Sequence, residues 1–370
     1  MFETYETKTK GNGALTSDVK ITRSNGSRLE QTNLEDPGFG INFTDHMLSM
    51  VYGDGEWKIP EVVPYDTLEV SPAMLTLHYG QAIFEGMKAF RGADGAINIF
   101  RPEAHHRRFT QSCRRICIPE IDYSHFLSGI TTLIDLDRAW VPDTKGNALY
   151  IRPFVFATDN LLSVKVSKTY RFLTITSPVG AYYKEGFNPV SLVTSDEYVR
   201  AVRGGVGNIK APGNYAASLL PAKKAEDQGF TQVLWLDALE RKYVEEVGTM
   251  NIMFLIDGVL VTPALEGAIL PGVTRDSVIR IAKDWGIPVE ERRIAIDEVF
   301  EASEAGTLEE VFGTGTAAVI SPVGSIRHQD RSISINGEGI GPLAKKLFDE
   351  ITGIQYGEKE DRFGWLHKLS

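Results

Sequence analysis

Apolar runs and helix-like stretches alternate along the first half of the chain. The run INIF at 97–100 predicts a strand, and the runs at 149–158 and 171–179 are rich in β-branched and aromatic residues, which favours two more. The stretch 102–115 predicts a helix, because proline suits its first position and Glu103 suits its first turn. The first half therefore combines helices and strands in one unit.

The second half repeats this alternation. Strands are predicted at 191–195 and 232–236, in a hairpin at 251–262 that turns at Asp257-Gly258, and in two runs within 311–323 that flank a glycine-bearing turn. Helices are predicted at 214–228, capped by Asn214 and stopped by Gly229, and at 274–286 and 341–353.

These elements predict a mixed α/β fold of two domains. Residues 1–180 form the smaller, N-terminal domain, and its polar residues 1–35 are expected to be an extended arm. Residues 181–190 contain glycine and proline and are the predicted linker, and residues 191–370 form the larger, C-terminal domain. Small-molecule sites often lie in the cleft between two domains, so we expect the site there.

Composition narrows the function classes. The chain has 370 residues, of which 42% are hydrophobic and 24% charged, which is ordinary for a globular protein. Its net charge of −10 argues against a nucleic-acid partner, which requires a basic surface. We find no apolar run near the roughly 18 residues needed to span a bilayer. Residues 1–20 resemble neither a signal nor a transit peptide, so we expect a cytoplasmic protein without a membrane partner.

The two cysteines predict no special chemistry. Cys113 and Cys117 are four residues apart, which places them on one face of a helix. Because cysteine is usually buried, we expect two reduced and partly buried thiols. A zinc site needs more ligands than this pair offers, so no metal is expected.

Two glycine-rich stretches invite nucleotide-binding interpretations, and both fail. In GGVGNIK (204–210) the lysine stands between Ile209 and Ala211, whereas a P-loop needs glycine before it and serine or threonine after it. GTGTAA (313–318) fits a loose dinucleotide pattern, but a β-like run with Pro322 follows it instead of a helix. Most lysines lie on the surface, yet Lys210 has few charged neighbours in sequence. It is therefore a candidate for a desolvated nucleophilic amine.

A reactive lysine, an acid for a ring nitrogen, donors for a phosphate and a group for a phenolic oxygen are the requirements of pyridoxal phosphate. The chain offers candidates for all four, and a resemblance makes them specific. Seven strings, in this order, resemble the branched-chain aminotransferases, a family of the fold-type-IV pyridoxal-phosphate enzymes: LHYGQAIFEGMKAFRG (77–92), YIRPFVF (150–156), GNIKAPGNYAAS (207–218), QVLWLD (232–237), EVGTMNIMF (246–254), ILPGVTR (269–275) and FGTGTAA (312–318). The resemblance extends from about Phe39 to Tyr356.

The resemblance implies roles around the cofactor. Lys210 is the catalytic residue, which binds the cofactor as a Schiff base and then moves the proton between substrate and cofactor. Glu246 holds the pyridine nitrogen in its protonated form, and Tyr215 donates to the phenolic oxygen. The phosphate is held by a guanidinium, backbone amides and a hydroxyl, from Arg108, Val273, Thr274 and Thr316, with Arg107 left open as an alternative to Arg108.

It also implies how the substrate binds. Tyr79 and the backbone amides of Thr316 and Ala317 meet the α-carboxylate, and Arg152 meets the distal carboxylate of glutamate or 2-oxoglutarate. An apolar pocket for leucine, isoleucine or valine is lined by Phe39, Phe84, Tyr150, Tyr182 and Thr249. The family takes its counterparts of Tyr79, Leu162 and Val164 from the other subunit, so the resemblance implies a homodimer.

The expected reaction is a ping-pong transamination between a branched-chain amino acid and 2-oxoglutarate. A D-amino-acid aminotransferase and an aminodeoxychorismate lyase share the fold type, but should lack Tyr79, Arg152 and EVGTMN together. A cofactor-binding regulatory protein without turnover is disfavoured, since no required residue is missing. Some family members carry a Cys-x-x-Cys pair where this chain has Ala318 and Ser321, so no thiol switch is expected.

Overall fold

Two mixed sheets form the framework of the protein. The computed structural model describes residues 19–180 and 187–370. Tyr182 and most of the predicted linker lie outside these described residues. The mixed α/β, two-domain architecture agrees with the sequence prediction.

The first sheet is built from the N-terminal half of the chain. In the described residues its strands are β1 (Lys20–Ile21), β2 (His46–Gly53), β3 (Glu56–Trp57), β4 (Glu61–Pro64), β5 (Ala82–Phe84), β6 (Met87–Arg91), β7 (Ile97–Phe100), β8 (Ala148–Ala157), β9 (Tyr170–Val179) and β19 (Leu366–Leu369). The order is β1-β4-β2-β9-β8-β6-β7-β19, and β3 and β5 pair with β2 and β8. Only the β1–β4 pair among these described strands is parallel.

The second sheet follows in the C-terminal half. Its strands in the described chain are β10 (Val190–Thr194), β11 (Gln232–Leu236), β12 (Val244–Val247), β13 (Asn251–Ile256), β14 (Val259–Thr262), β15 (Val289–Glu291), β16 (Leu308–Gly315), β17 (Val319–His328) and β18 (Arg331–Ser334). The order is β12-β11-β10-β17-β16-β13-β14-β15, with β18 against β17. Strand β10 is parallel to both of its neighbours.

Helices pack on both sheets. The α-helices are α1 (Leu75–Tyr79), α2 (Pro102–Arg115), α3 (Tyr123–Leu136), α4 (Pro212–Ala216), α5 (Leu219–Asp227), α6 (Val273–Asp284), α7 (Ile296–Glu304) and α8 (Pro342–Gln355), and short 3-10 turns lie at Leu29–Gln31, Arg138–Trp140 and Asn336–Glu338. No helix in the described part of the chain is long and apolar enough to cross a membrane.

The apolar core continues from one half of the chain to the other. Phe90 and Val179 of the first sheet pack in one cluster with Met253 of the second sheet and with Val278 and Leu347 from the C-terminal helices. Burying these side chains together stabilises the contact between the halves by the hydrophobic effect. The junction can therefore hold side chains from both sheets in fixed positions.

Several predicted elements are confirmed, and one is wrong. Helix α2 occupies the predicted 102–115, and the hairpin turns at Asp257 and Gly258, whose φ angles are 48° and 72°. The predicted single helix at 214–228 is two helices, and Asn214 does not cap it. Pro212 begins α4 instead, and the buried Asn214 side chain donates to the carbonyls of Val206 and Ile209.

The C-terminal residues return from the second half of the chain to the sheet of the first half. Strand β19 pairs antiparallel with β7, so the last residues join the sheet of the first half. Near the other end, β1 pairs with β4 and Ser24 N donates to His46 Nε2 at 2.8 Å, which attaches part of the predicted arm to the first sheet. The domain division at 181–190 falls between the two sheets and stays a proposal.

Candidate active site

One cavity of about 720 Å³ lies between the two halves. Most of the predicted site residues in the described chain line it: Phe39, Phe84, Arg108, Tyr150, Arg152, Lys210, Tyr215, Glu246, Thr249, Val273, Thr274, Thr316 and Ala317. Residues far apart in sequence thus share a single site. Its size suits a small ligand enclosed in a concave pocket.

Lys210 lies in the loop before α4, and its amine faces an aromatic pair. Nζ donates to Tyr215 Oη at 2.8 Å and lies 4.9 Å from the ring centre of Phe84. The backbone holds this loop in place, since Phe84 N donates to Lys210 O at 3.0 Å. Burial, aided by the positive charge of Arg108, lowers the pKa of Lys210 to about 8. A large fraction of this amine is therefore neutral and nucleophilic near pH 8.

Glu246, on β12, carries a buried carboxyl that lines the same cavity. Its Oε1 accepts a hydrogen bond from Asn251 Nδ2 at 3.1 Å. Its Oε2 is in ion-pair contact with Arg200 Nε, but without hydrogen-bond geometry. Among the residues described, Oε2 therefore has no hydrogen-bond donor. Burial raises the pKa of Glu246 to about 7 although Arg200 opposes the shift. This oxygen is suited to accept an N–H from a ligand.

The start of α6 offers backbone donors suited to an anion such as phosphate. The helix begins at Val273 after Gly272, and no side chain of the described residues caps its first amides. A Cβ at position 272 would lie 1.9 Å from Asn251 Oδ1, so only glycine allows the backbone to approach this closely. Uncapped helix N-termini bind anions through their amides and dipole. The Arg108 guanidinium donates from Nη1 to Pro271 O at 3.2 Å and so lies beside these amides.

The Arg107 alternative is disfavoured by position. Arg107 is exposed and contacts Glu103 on the outer face of α2, at 3.4 Å. Arg108 is buried and lines the cavity.

Glu85 forms a buried ion pair with Arg108, and no role was predicted for it from the sequence. The carboxylate accepts Arg108 Nε at 2.6 Å and Nη2 at 2.8 Å, and it accepts His105 Nδ1 at 2.9 Å. Burial opposes its ionisation, but Arg108 and His105 together hold the pKa of Glu85 well below its usual range. A signal existed in FEGM, where an acid stands inside an otherwise apolar string.

Arg152 and Tyr150 project from the same face of β8 into the cavity. Arg152 Nη2 donates to Tyr150 Oη at 3.0 Å, and its guanidinium carbon lies 4.8 Å from the ring centre of Phe84. No carboxylate of the described residues pairs with it, and its buried Nε has no hydrogen-bond partner there. Gly86 makes room for the tyrosine, since a Cβ there would lie 2.0 Å from Tyr150 Oη. The charged guanidinium of Arg152 therefore packs against the rings of Phe84 and Tyr150 in the cavity lining.

The turn between β16 and β17 closes another side of the cavity with Thr316 and Ala317. Lys88, on β6, donates from Nζ to Ala317 O at 2.6 Å. Burial lowers the pKa of Lys88 to about 8. No role was predicted from the sequence for Lys88, Arg200 or Asn251. Lys88 and Arg200 contact partners that are distant along the chain, whereas Asn251 lies only five residues from Glu246.

Three predicted substrate residues do not line the cavity of their own chain. Tyr79 is 41% exposed, Leu162 69% and Val164 83%. The resemblance assigns these residues to a neighbouring subunit's site, and surface positions allow this. Tyr182, the remaining pocket residue, lies outside the described residues.

The donors present fit pyridoxal phosphate. In the described chain, three sets of groups match the ring nitrogen, the phosphate and the reactive end of that cofactor. They are the Glu246 oxygen that accepts no hydrogen bond from a described residue, the α6 amides beside Arg108, and Lys210 with Tyr215. Within those same residues, no group of three or more His, Cys, Asp or Glu side chains could hold a metal ion.

Comparisons with known proteins agree with this geometry. Residues 82–326 match the family described as Amino-transferase class IV. The chain is 52% identical over 351 residues to branched-chain-amino-acid aminotransferase 2 of Bacillus subtilis, covering 93% of this chain and 97% of that protein.

Solved structures show the same fold. The branched-chain amino acid aminotransferase of Escherichia coli superposes with a TM-score of 0.70 at 27% identity, covering 86% of this chain and 98% of the other. The branched-chain amino acid aminotransferase of T.th., solved with pyridoxamine 5'-phosphate, gives a TM-score of 0.70 at 29% identity, covering 86% of this chain and 97% of the other.

Proposed function

The chain belongs to the class IV aminotransferases, and from this membership we propose that it transfers the amino group of L-leucine, L-isoleucine and L-valine to 2-oxoglutarate with pyridoxal 5'-phosphate. The observation that most supports the proposal is that one cavity is lined by Lys210, Tyr215, Glu246 and Arg108. The same cavity is also lined by Arg152, which no carboxylate of the described residues neutralises. The two half-reactions follow one another at this site, so the mechanism is ping-pong.

The protein residues would bind the cofactor at both ends. Val273 N, Thr274 N and Thr316 Oγ1 would donate to the phosphate with Arg108, and Glu246 Oε2 would accept the ring N–H. Tyr215 Oη would donate to the phenolic oxygen, and Lys210 would be the amine that binds the reactive carbon. When bound, pyridoxal phosphate supplies a carbonyl that exchanges amines and a ring that accepts electrons from the substrate Cα.

Lys210 would then move the proton. Its Nζ could take the proton from the substrate Cα and return it, because burial lowers the pKa of Lys210 to about 8 and so leaves about half of the amine neutral at that pH. Tyr215, at 2.8 Å, fixes the position of Nζ. The ring of Phe84, 4.9 Å from Nζ, packs beside the amine.

The wall opposite the cofactor would receive two unlike side chains. Phe39, Phe84 and Tyr150 offer apolar surface to leucine, isoleucine or valine. Arg152 offers a guanidinium to the distal carboxylate of 2-oxoglutarate or glutamate. The amides of Thr316 and Ala317 would hold the α-carboxylate that all these substrates share.

The test is amine transfer from L-leucine to 2-oxoglutarate by the purified protein with pyridoxal phosphate. We expect glutamate and 4-methyl-2-oxopentanoate in equal amounts. Transfer from D-alanine, or cleavage of aminodeoxychorismate, in place of this reaction would contradict the proposal. About 50% identity to branched-chain enzymes over most of the chain favours the first outcome over these alternatives.

We also propose that the enzyme is a cytoplasmic homodimer in which Tyr79, Leu162 and Val164 complete the partner's site. Their exposure in the single chain supports this. The test is complementation between two inactive variants, Lys210→Ala and Tyr79→Ala. If Tyr79 acts across the interface, a mixed dimer has one site with both residues intact, and activity returns. If Tyr79 acts within its own chain, mixing restores nothing.

A further inference from the structure

Glu85 is fully buried and does not line the cavity, but its carboxylate contacts two residues that do, Arg108 and Gly86. Its carboxylate receives Arg108, His105 and the backbone N–H of Gly86, the last at 3.1 Å. Its own N–H donates to Pro153 O at 2.7 Å on β8. Glu85 therefore joins β8, helix α2 and the residues next to Phe84.

The contacts of Arg108 show what this connection does. A guanidinium has five N–H donors in a rigid plane. Two of them go to Glu85 and one goes to Pro271 O, which leaves two of the five without a partner in the described chain. Because Glu85 holds the Nε–Nη2 edge and Pro271 O holds Nη1, the plane of the guanidinium is fixed next to the start of α6.

From this geometry we propose that Glu85 is a positioning residue that fixes the Arg108 guanidinium toward the cofactor phosphate, and that His105 supports it. The proposal rests on the proposed function, which assigns the phosphate to Arg108 and α6. Glu85 touches neither cofactor nor substrate and acts through Arg108.

Because Glu85 is negatively charged, its effect on the orientation of Arg108 can be distinguished from its effect on the electrostatic attraction between Arg108 and the phosphate. A carboxylate beside Arg108 weakens the attraction between the guanidinium and a phosphate dianion. A site that required only positive charge would bind phosphate better without Glu85. What the carboxylate adds is direction, through two charge-assisted hydrogen bonds in a planar pair.

His105 completes the arrangement from the same helix. It lies three residues before Arg108 on α2, so both side chains lie on one helix face. A carboxylate can only accept, so His105 Nδ1 donates the bond of 2.9 Å to Glu85 Oε2. Burial lowers the pKa of His105, which keeps the ring neutral while it donates. His105 thus restrains Glu85 without adding charge.

The test compares the binding of pyridoxal phosphate and pyridoxal to the apo forms of the wild type and Glu85→Gln, followed by absorbance and protein fluorescence. Glutamine keeps the shape but cannot accept both guanidinium bonds. We expect the dissociation constant of pyridoxal phosphate to rise by roughly tenfold or more, as for the loss of a hydrogen bond to a charged group. The constant for pyridoxal, which has no phosphate, should change by less than about twofold.

A double-mutant cycle tests whether Glu85 acts through Arg108. Once Arg108 is replaced by methionine, adding Glu85→Gln should weaken pyridoxal phosphate binding no further. Independent, additive losses would overturn the proposal. Unchanged or tighter binding of pyridoxal phosphate by Glu85→Gln alone would also overturn it. The electrostatic attraction of Arg108 for the phosphate would then matter more than the orientation of its guanidinium.

A second pair of variants keeps the test decisive if Glu85→Gln does not fold. His105→Asn retains a donor near the position of Nδ1, whereas His105→Leu removes it. We expect only the leucine variant to lower the preference for pyridoxal phosphate over pyridoxal. Equal preferences in both would overturn the supporting role of His105 and the proposed arrangement. If the wild type itself did not prefer pyridoxal phosphate or transfer amines, the proposed function would fail instead.

Discussion

Lys210 Nζ lies 2.8 Å from Tyr215 Oη, and the backbone carbonyl of Lys210 accepts a hydrogen bond from the backbone N–H of Phe84. The amine of a second lysine, Lys88, is also buried with its pKa near 8, but it donates to a backbone carbonyl behind the cavity wall. Burial alone therefore does not identify the reactive amine. The contact of Lys210 with Tyr215 and its position in the cavity lining are what support it as the proposed reactive amine.

Lys210→Ala should abolish turnover and the visible absorbance of the bound cofactor. We expect the rate to fall by roughly a thousandfold or more, as for the loss of a nucleophile that also transfers protons. The measurement is a spectrum after dialysis together with leucine turnover. Lys88→Met is the matched control, and it should keep the absorbance. A Lys210→Ala protein that retained the band would place the covalent link on another lysine.

The rate at which the apo form recombines with pyridoxal phosphate should rise with pH and level off above about 8. The reason is that only the neutral amine reacts, and burial lowers the pKa of Lys210 to about 8. Below that pKa the neutral fraction falls about tenfold per pH unit. Stopped-flow absorbance from pH 6 to 10 measures the profile. A rise that continued to pH 10 would show that the amine keeps the pKa of an exposed lysine.

Glu246→Gln should slow proton removal from the substrate while cofactor binding largely persists. The amide cannot hold the ring nitrogen in its protonated form, so the ring accepts electrons less well. A decrease on the order of 100-fold in the single-turnover rate with leucine is expected, by analogy with the loss of one electrostatic stabiliser. A single-turnover rate equal to that of the wild type would exclude this role for Glu246.

Mild peroxide followed by reductant should leave activity unchanged. Ala318 and Ser321 stand where some relatives have a cysteine pair, and Cys113 is buried in the apolar core of the N-terminal half. Burial raises the pKa of the Cys113 thiol, which makes its reactive thiolate scarce. Cys117 is exposed, so Cys117→Ser is the control. A reversible loss that this substitution abolished would reveal a thiol switch outside the site.

Local signals explain what could be predicted from the sequence. Pro102 predicted the start of α2 and Asp257-Gly258 predicted the hairpin, because both signals depend on residues close in sequence. The low-charge neighbourhood of Lys210 is a local signal too, and it led to the proposal that Lys210 is the reactive amine. Asn214 looked like a helix cap, yet Pro212 begins that helix. The cap assignment failed because burial turned the side chain toward the preceding loop.

Pairs that are distant in sequence could not be predicted. Arg200 meets Glu246 across 46 residues, and Glu85 meets Arg108 from a different element, so neither contact has a periodic pattern that would reveal it. The return of β19 to the first sheet is of the same kind. Such contacts depend on how whole elements pack.

Arg152 provides the sharpest test, because one cavity must receive an apolar side chain in one half-reaction and a carboxylate in the other. The guanidinium packs over the rings of Phe84 and Tyr150, at 4.8 and 5.1 Å from their centres, and no carboxylate of the described residues neutralises it. Aromatic faces tolerate a cation, so the arginine can remain while leucine is bound.

Arg152→Leu should therefore raise KM for glutamate and 2-oxoglutarate far more than for leucine and its oxo acid. Loss of a charge-assisted contact should cost about 2–4 kcal/mol with the dicarboxylates. With leucine the change should stay below about 1 kcal/mol, as for an apolar substitution that preserves volume. Single-turnover kinetics of each half-reaction measure both. Tyr150→Phe, which removes the 3.0 Å contact but keeps the ring, is the control and should shift the dicarboxylate reaction only modestly. Equal losses in both half-reactions would mean that Arg152 binds the shared α-carboxylate or supports the fold, and another cation would have to bind the distal carboxylate.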